Sequence, residues 1–361
     1  MKILWYVSSH GWGHGARQRE LIRVYRLKYP DTHITVASDV PMWFWKGSRI
    51  NSIVAGSPSP IVVEKDGDID LKATRTHFHH FADHSSSYLK TEVARQLLLK
   101  PDLVISDIDP LPVKAAGVNS IPALGIGNFT WDWIIKEMFP DMGAEAALVA
   151  DMYHHGTYLK LPMSPDHSPF GSTVNVPLLR GGPPGNPDKV RDLLPAGNIC
   201  LVALREIPRG VELSVPDNFT AVSCLPEPVH RICQNITPSE LADAGAAFAD
   251  LVAACDVLLT KPGYGIISQI LTMGKKAVLL TGRKFPEEKY LLDTIKQTSA
   301  SILIGKESLL STKAFIRSAK RLHPLPKINC NGGTIATNLI NSSRDGSPHP
   351  MITEPFRTDF N

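Results

Sequence analysis

The stretch KILWYVSSHGWGHGARQRELIRVY, residues 2–25, decides the fold. Its first six residues form an almost unbroken apolar run, the pattern of a strand covered on both faces in a parallel sheet. A helical pattern runs from Ala16 to Lys28, and between the two lie His10 and His14 among Gly11, Gly13 and Gly15. Strand, glycine-rich turn and helix in that order begin a βαβ unit, whose turn falls at the carboxyl edge of the sheet, where α/β folds bind ligands.

The same alternation continues outward. HITVAS (33–38), DLVISD (102–107) and IPALGIG (121–127) read as further buried strands, with a helical pattern over His84 to Leu99. A second series, ICLVAL (199–204), VLLT (257–260), AVLLTG (277–282) and SILIG (301–305), follows a proline- and glycine-rich stretch, NVPLLRGGPPGNPDK (175–189). These patterns predict an α/β protein of two doubly wound Rossmann-like domains, over residues 1–174 and 190–330, with 175–189 as the linker. Residues 331–361 are set apart as a tail, because SSRDGSPHPMITEPFRTDFN (342–361) lacks periodicity and carries three prolines.

A chain of 361 residues suits two domains. Apolar residues make up 43% and charged residues 20%, enough for a sizeable core. The formal net charge of +3 is spread along the chain, so no nucleic-acid tail or polybasic anchor is expected. No apolar run approaches the ~18 residues of a membrane span, and the N-terminus lacks a signal peptide's basic region. The five cysteines (Cys200, Cys224, Cys233, Cys255, Cys330) are odd in number and form no CxxC pair, which points to reduced thiols in a cytoplasmic protein and to no zinc site.

Two loops carry the chemistry. The first offers glycines for close backbone approach and an imidazole that titrates near neutrality. It matches neither GxGxxG nor a P-loop. His14 there reads as a general base at the mouth of a cleft, or as a local helix cap. The second loop, Lys261-Pro262-Gly263-Tyr264-Gly265, joins the strand ending at Thr260 to a helix that begins near Ile266 and stops before Gly274. Glycines at a helix start expose backbone donors for an anion, Ser268 adds a hydroxyl and Lys261 a charge. The bland alternative is a tight turn with no ligand.

Together the GHG.R element and ADLVAACDVLLTKPGYGIISQ resemble the GT-B class of nucleotide-sugar glycosyltransferases, in the branch of the lipid II-forming N-acetylglucosaminyltransferase, and more narrowly the glycosyltransferase-like N-terminal domain of plant arabinokinases. PDLVISDIDPLPVKAAGVNSIPALGIGNFTWDWI (101–134) is similar to that group's acceptor half. The resemblance implies an acceptor held by the first domain and a nucleotide sugar, of UDP type, held by the second. It implies inverting hexosyl or N-acetylhexosaminyl transfer with no cofactor and no metal. His14 would take the acceptor proton and Asp107 would hold the imidazole. Lys261, Gly263, Tyr264, Gly265, Ser268, Gln269, Glu287, Glu288 and Arg205 would meet the donor, and Gly13, Asp109, Asn128 and Trp131 the acceptor. That acceptor would be a sugar, a lipid-linked molecule or another small molecule, the lipid-linked case implying peripheral membrane contact.

Some residues depart from the pattern. Gln269 stands where the lipid II branch carries glutamate, and the segment ALREIPRGVE (203–212) has only Gly210 where a glycine-rich diphosphate loop is usual, leaving Arg205 and Arg209 as substitute charges. Glu287 and Glu288 read either as sugar contacts or as a solvated helix start. In the histidine run HFHHFADH (77–84), His77, His80 and His84 have helical spacing that could place them on one face, and a polar helix or acceptor wall rather than a metal site is the expectation. Trp43, Phe44 and Trp45, like Trp131 and Trp133, suit either sugar stacking or packing. Two other functions fit the same architecture: a nucleotide-sugar epimerase or hydrolase, and a non-catalytic sugar-nucleotide-binding module.

Overall fold

The computed structural model describes residues 1–8, 12–65, 68–205, 213–227, 233–282, 284–296, 301–305, 312–321, 328 and 330–343. Its first half runs β1 (Lys2–Val7), α1 (Trp12–Lys28), β2 (His33–Ala37), β3 (Ser52–Val54), β4 (Glu64–Lys65), β5 (Asp68–Ile69), α2 (Leu71–Leu99), β6 (Leu103–Asp107), α3 (Pro110–Val118), β7 (Ala123–Gly127), α4 (Trp131–Met138), α5 (Gly143–Tyr153), β8 (Thr157–Lys160) and β9 (Ser172–Asn175). The second half follows with β10 (Asn198–Ala203), β11 (Phe219–Ser223), β12 (Gln234–Asn235), α6 (Pro238–Asp243), α7 (Phe248–Ala254), β13 (Val257–Thr260), α8 (Tyr264–Met273), β14 (Ala277–Thr281), α9 (Glu287–Lys296), β15 (Ser301–Gly305), α10 (Thr312–Arg321) and α11 (Gly332–Ser342).

Seven strands form one sheet in the order β3-β2-β1-β6-β7-β8-β9, and six form a second in the order β12-β11-β10-β13-β14-β15. Every pair in both sheets is parallel. Each sheet is doubly wound, so its strand order reverses once: between β1 and β6 in the first, between β10 and β13 in the second. A crevice opens beyond the carboxyl ends of the strands at such a switch point. The register sets the two strands level there, Val7 beside Asp107 and Ala203 beside Thr260. The topology alone therefore brings the His14 turn to Asp107, and Arg205 to the Lys261–Gly265 loop.

Strand residues alternate between two packed layers. In β1, Ile3, Trp5 and Val7 face a core shared with the second domain, while Leu4 and Tyr6 face a core under α2, α3 and α4. Leu201, Leu258 and Leu279 of the second sheet enter that same shared core, whereas Cys200, Val202, Leu259 and Leu280 face a third, outer cluster. The two domains thus meet through continuous apolar packing.

Three boundaries differ from the sequence reading. Helix α1 starts at Trp12 rather than Ala16, which puts Gly13, His14 and Gly15 in its first turn. Helix α2 starts at Leu71, well before His84, where the Asp70 side chain accepts the Ala73 N–H as an N-cap. The set-apart segment 331–361 contains α11, whose Ala336, Leu339 and Ile340 lie on one face by their i, i+3, i+4 spacing and join the shared core. Lys28 at the end of α1 donates to Asn338 on α11, so the chain returns to the first domain. Residues 344–361 lie outside the described residues.

Candidate active site

The carboxyl ends of β1 and β6 and the first turn of α1 converge on one buried carboxylate. His14 Nδ1 lies 3.0 Å from Asp107 Oδ2, and Arg17 Nη2 donates to Asp107 Oδ1 at 2.5 Å. Arg17 follows His14 by three residues and so shares its helix face. The guanidinium forks: Nη2 is also 3.2 Å from His14 Nδ1, and Nη1 donates to Asn128 Oδ1 at 3.1 Å. Asn128 Nδ2 in turn donates to Glu287 Oε1 of the second domain at 2.8 Å. Arg17 also lies 5.0 Å from the centroid of the Tyr264 ring, a cation–π contact across the domains.

Arg17 and Asp107 are 2% and 0% exposed, and their electrostatics follow from that. Burial by itself would raise the Asp107 carboxyl, but Arg17 and His14 outweigh it and hold the group below the ordinary carboxylate value. The ionised carboxylate is an acceptor only and the guanidinium a donor only. The proton between His14 and Asp107 therefore belongs on Nδ1, one carboxylate oxygen accepting from the imidazole and the other from Arg17. This leaves Nε2 as the basic lone pair. The Phe129 ring stands edge-on to the imidazole, with centroids 5.8 Å apart, and fixes its plane.

His14 lines a cleft of about 740 Å³ between the domains. Asn128 borders it from the first domain, and Arg205, Lys261, Gly263 and Glu287 from the second. Helix α8 begins at its wall; Gly263, the N-cap, has extended backbone and no side-chain cap, so the first N–H groups of α8 have no side-chain acceptor there. With Lys261 and Arg205 beside it, this wall suits a multiply charged anion. Among the described residues, no group of three or more His, Cys, Asp or Glu side chains is placed to hold a metal ion. No described helix is long and apolar enough to cross a membrane.

Comparison with solved structures fits this arrangement. The glycosyltransferase VinC in complex with DTDP superposes with a TM-score of 0.56 at 16% identity, covering 96% of each chain. The spinosyn rhamnosyltransferase SpnG gives 0.58 at 11% identity over 97% of this chain and 98% of that one. A protein described as a UDP-N-acetylglucosamine 2-epimerase from Listeria monocytogenes gives 0.55 at 12% identity over 97% and 98%. The fold is GT-B. No protein-family model matches the chain. L-arabinokinase of Arabidopsis thaliana is 24% identical over 365 residues, which cover 95% of this chain and 34% of that protein. The chain thus spans about a third of the length of the curated relative it matches.

Within the GT-B cleft the predicted residues separate. Gly13, His14, Asn128, Arg205, Lys261, Gly263, Tyr264, Gly265, Gln269 and Glu287 line it, with Asp107 directly behind His14. Ser268 is not among the residues that line the cleft. Its hydroxyl accepts from Gly181 N–H and donates to Gly265 C=O, each at 2.7 Å, so it latches the interdomain connection to α8. Gln269 shares that task, Nε2 donating to Gly181 C=O at 3.1 Å, while its Oε1 is buried without a partner. Glu288 turns back to accept the Gly282 N–H at 2.7 Å, leaving Glu287 as the member of the pair that meets the cleft. Trp131 is fully buried between Phe78 and Phe129 and is a core residue. Asp109 lines a second, smaller cavity.

The aromatic run splits likewise: Trp43 and Phe44 line the cleft and Trp45 is buried. On α2, His79 pairs with Glu145 at 2.7 Å and His80 stacks on His84, centroids 4.1 Å apart. His10, Arg209 and Gly210 lie outside the described residues. Sequence reasoning gave no role to Arg17, although its spacing from His14 was visible, and took Gly181 and Gly182 only as linker. Gly181 must be glycine because a Cβ there would stand 2.3 Å from Gly265 O.

Proposed function

We propose that the protein transfers a sugar from a nucleoside diphosphate sugar to an acceptor hydroxyl. The carrying observation is the hydrogen-bonded set Asp107, His14 and Arg17 at one edge of the interdomain cleft, opposite the basic wall at the start of α8. His14 Nε2 removes the acceptor proton as that oxygen attacks the anomeric carbon. The bond from that carbon to the phosphate oxygen breaks, its electron pair leaves with the diphosphate, and the configuration inverts. Asp107 stabilises the imidazolium that forms, and Arg17 keeps Asp107 ionised throughout.

Charge on the leaving diphosphate is assigned to the N–H groups of α8, Lys261 and Arg205, a reading in which no metal is required. The free Gln269 Oε1 suits a ribose hydroxyl as donor. Glu287, held by Asn128, suits the hydroxyls of the transferred sugar. A uridine nucleotide carrying a hexose or N-acetylhexosamine is the first choice of donor; support for the class comes from the VinC complex with DTDP.

The test is product analysis with a panel of nucleotide sugars and acceptors. Glycosylated acceptor is expected, and His14→Ala should lower turnover by about 10²-fold or more while nucleotide affinity stays near that of the parent. Free sugar with nucleotide as the sole products, or an epimerised donor, would replace transfer by the hydrolase or epimerase reading.

A further inference from the structure

Beside the cleft lies a second cavity of about 190 Å³, several times the ~30 Å³ that one water occupies in the liquid. It opens at the carboxyl ends of β1, β2 and β6, and its polar lining is Ser8, Asp39, Ser57, Ser59, His77 and Asp109. Ile61 lines both this chamber and the main cleft, so the two spaces adjoin. Asp109 stands two residues beyond Asp107, the partner of His14.

Two of the chamber's oxygens lack what buried oxygens normally have. Asp109 is 3% exposed and its Oδ1 is buried with no hydrogen-bond partner; Ser57 Oγ is buried in the same condition. Native proteins pair such atoms almost without exception, so their convergence on one polar hollow is the mark of a place filled by a hydrogen-bonding guest. Asp39 is fixed at the wall by accepting the Gly56 N–H at 2.9 Å, and His77 Nε2 lies 3.2 Å from the Ser59 carbonyl.

The charge pattern selects the guest. No lysine or arginine is among the described residues that line the chamber, so an anion would meet carboxyl groups without a counter-charge. Burial raises the Asp109 carboxyl well above its ordinary value; a hydrogen bond with the Ser59 side chain opposes the rise, and Asp107, Glu92 and Asp39 add to it. The rise favours the protonated form of Asp109, which both donates and accepts as hydroxyls do.

We propose that this chamber is a subsite for a neutral, hydroxyl-rich molecule of single-sugar size, and that such a molecule is the acceptor whose hydroxyl reaches His14. The second part rests on the glycosyl-transfer reading above. The first part does not. Size and lining together disfavour a lipid-linked acceptor, whose anionic phosphates find no lysine or arginine among the described lining residues and whose chain is too long for the chamber.

The experiment measures binding of glucose, xylose and myo-inositol to the full chain without any nucleotide, by saturation-transfer NMR and calorimetry, with glucuronate and glucosamine as charged counterparts. At least one neutral probe is expected to bind more tightly than either charged one. Ser57→Val places methyl groups where the hydroxyl faces the chamber and should weaken that binding about tenfold or more. Ser59→Ala should weaken it less, and melting temperature and nucleotide affinity should stay unchanged. The proposal is overturned if no neutral probe binds, if glucuronate binds as well as they do, or if Ser57→Val leaves binding intact. Neutral-sugar binding that Ser57→Val abolishes, with no nucleotide sugar supporting transfer, upholds the chamber and removes glycosyl transfer. Transfer to an acceptor at a rate untouched by Ser57→Val removes the chamber and upholds transfer.

Discussion

Arg17→Met exposes how the site is built. The substitution keeps length and apolar bulk but removes the charge that offsets burial of Asp107, leaving a carboxylate with 0% exposure supported by His14 alone. Breaking a buried ion pair from one side costs about 3–5 kcal/mol, because the surviving charge is uncompensated. If the first domain, from β1 to β9, melts as the responding unit, at about 2–4 °C per kcal/mol the melting temperature should fall by ~6–20 °C. Differential scanning calorimetry at neutral pH measures this directly. The double variant Arg17→Met/Asp107→Asn removes both charges and should recover most of the loss, since an uncharged amide is far cheaper to bury. A single-variant loss under about 1 kcal/mol would refute the reasoning, as would a double variant as unstable as the sum of its parts, because the pair would then not be the coupled unit described.

The raised Asp109 carboxyl gives a pH signature. In the unfolded chain this group loses its proton near pH ~3.9, while the folded protein retains it to higher pH. The folded state then binds more protons, and stability falls as pH rises through that window, by up to ~1.4 kcal/mol per pH unit. Asp109→Asn should therefore be more stable than the parent at pH 7 and lose that advantage at pH 4; denaturant titrations showing a pH-independent difference would refute this. Ser268→Ala removes two buried hydrogen bonds and should cost about 1–3 kcal/mol of stability, with nucleotide affinity following only as the α8 connection loosens. A large affinity loss at unchanged stability, in calorimetric titration with a nucleoside diphosphate, would instead put Ser268 on the ligand. Gly181→Ala sets a Cβ 2.3 Å from Gly265 O, so the backbone must shift, and both melting temperature and nucleotide affinity should fall. Wild-type values for both would refute the close approach.

The fold was legible because buried parallel strands are apolar on both faces, so KILWYV, DLVISD and VLLT stand out without any partner being known. The strand-to-helix loops stood out for the same reason, being polar breaks between apolar runs. What the sequence concealed was commitment. A serine in the first turn of a helix beside glycines reads as an anion ligand, and only the path of Pro177 to Gly182 past α8 reveals that Ser268 and Gln269 hold that path. Trp131 fails for a related cause: an aromatic flanked by polar residues is ambiguous until its neighbours are seen, and here Phe78 and Phe129 enclose it. Chamber residues Ser57 and Ser59 lie in a stretch with no periodicity, far in sequence from Asp109, so no local signal could have joined them.

Arg17 ties these levels together. One guanidinium holds the ionised Asp107, touches Nδ1 of the imidazole, grips Asn128 and rests against the Tyr264 ring, the first residue of α8. Asn128 extends the contact to Glu287 at the start of α9. Helices α8 and α9, whose amino-terminal ends border the cleft, are thus in register with the first-domain imidazole through a single buried side chain. A displacement of α9 would reach Asp107 through three hydrogen bonds, and one of α8 through the Tyr264 contact and a single hydrogen bond, whereas the apolar core shared by the sheets resists relative sliding. The alignment of a proton acceptor on one domain with an anion wall on the other follows from this arrangement, and lysine, with a point charge in place of a planar fork, could not make all of these contacts at once.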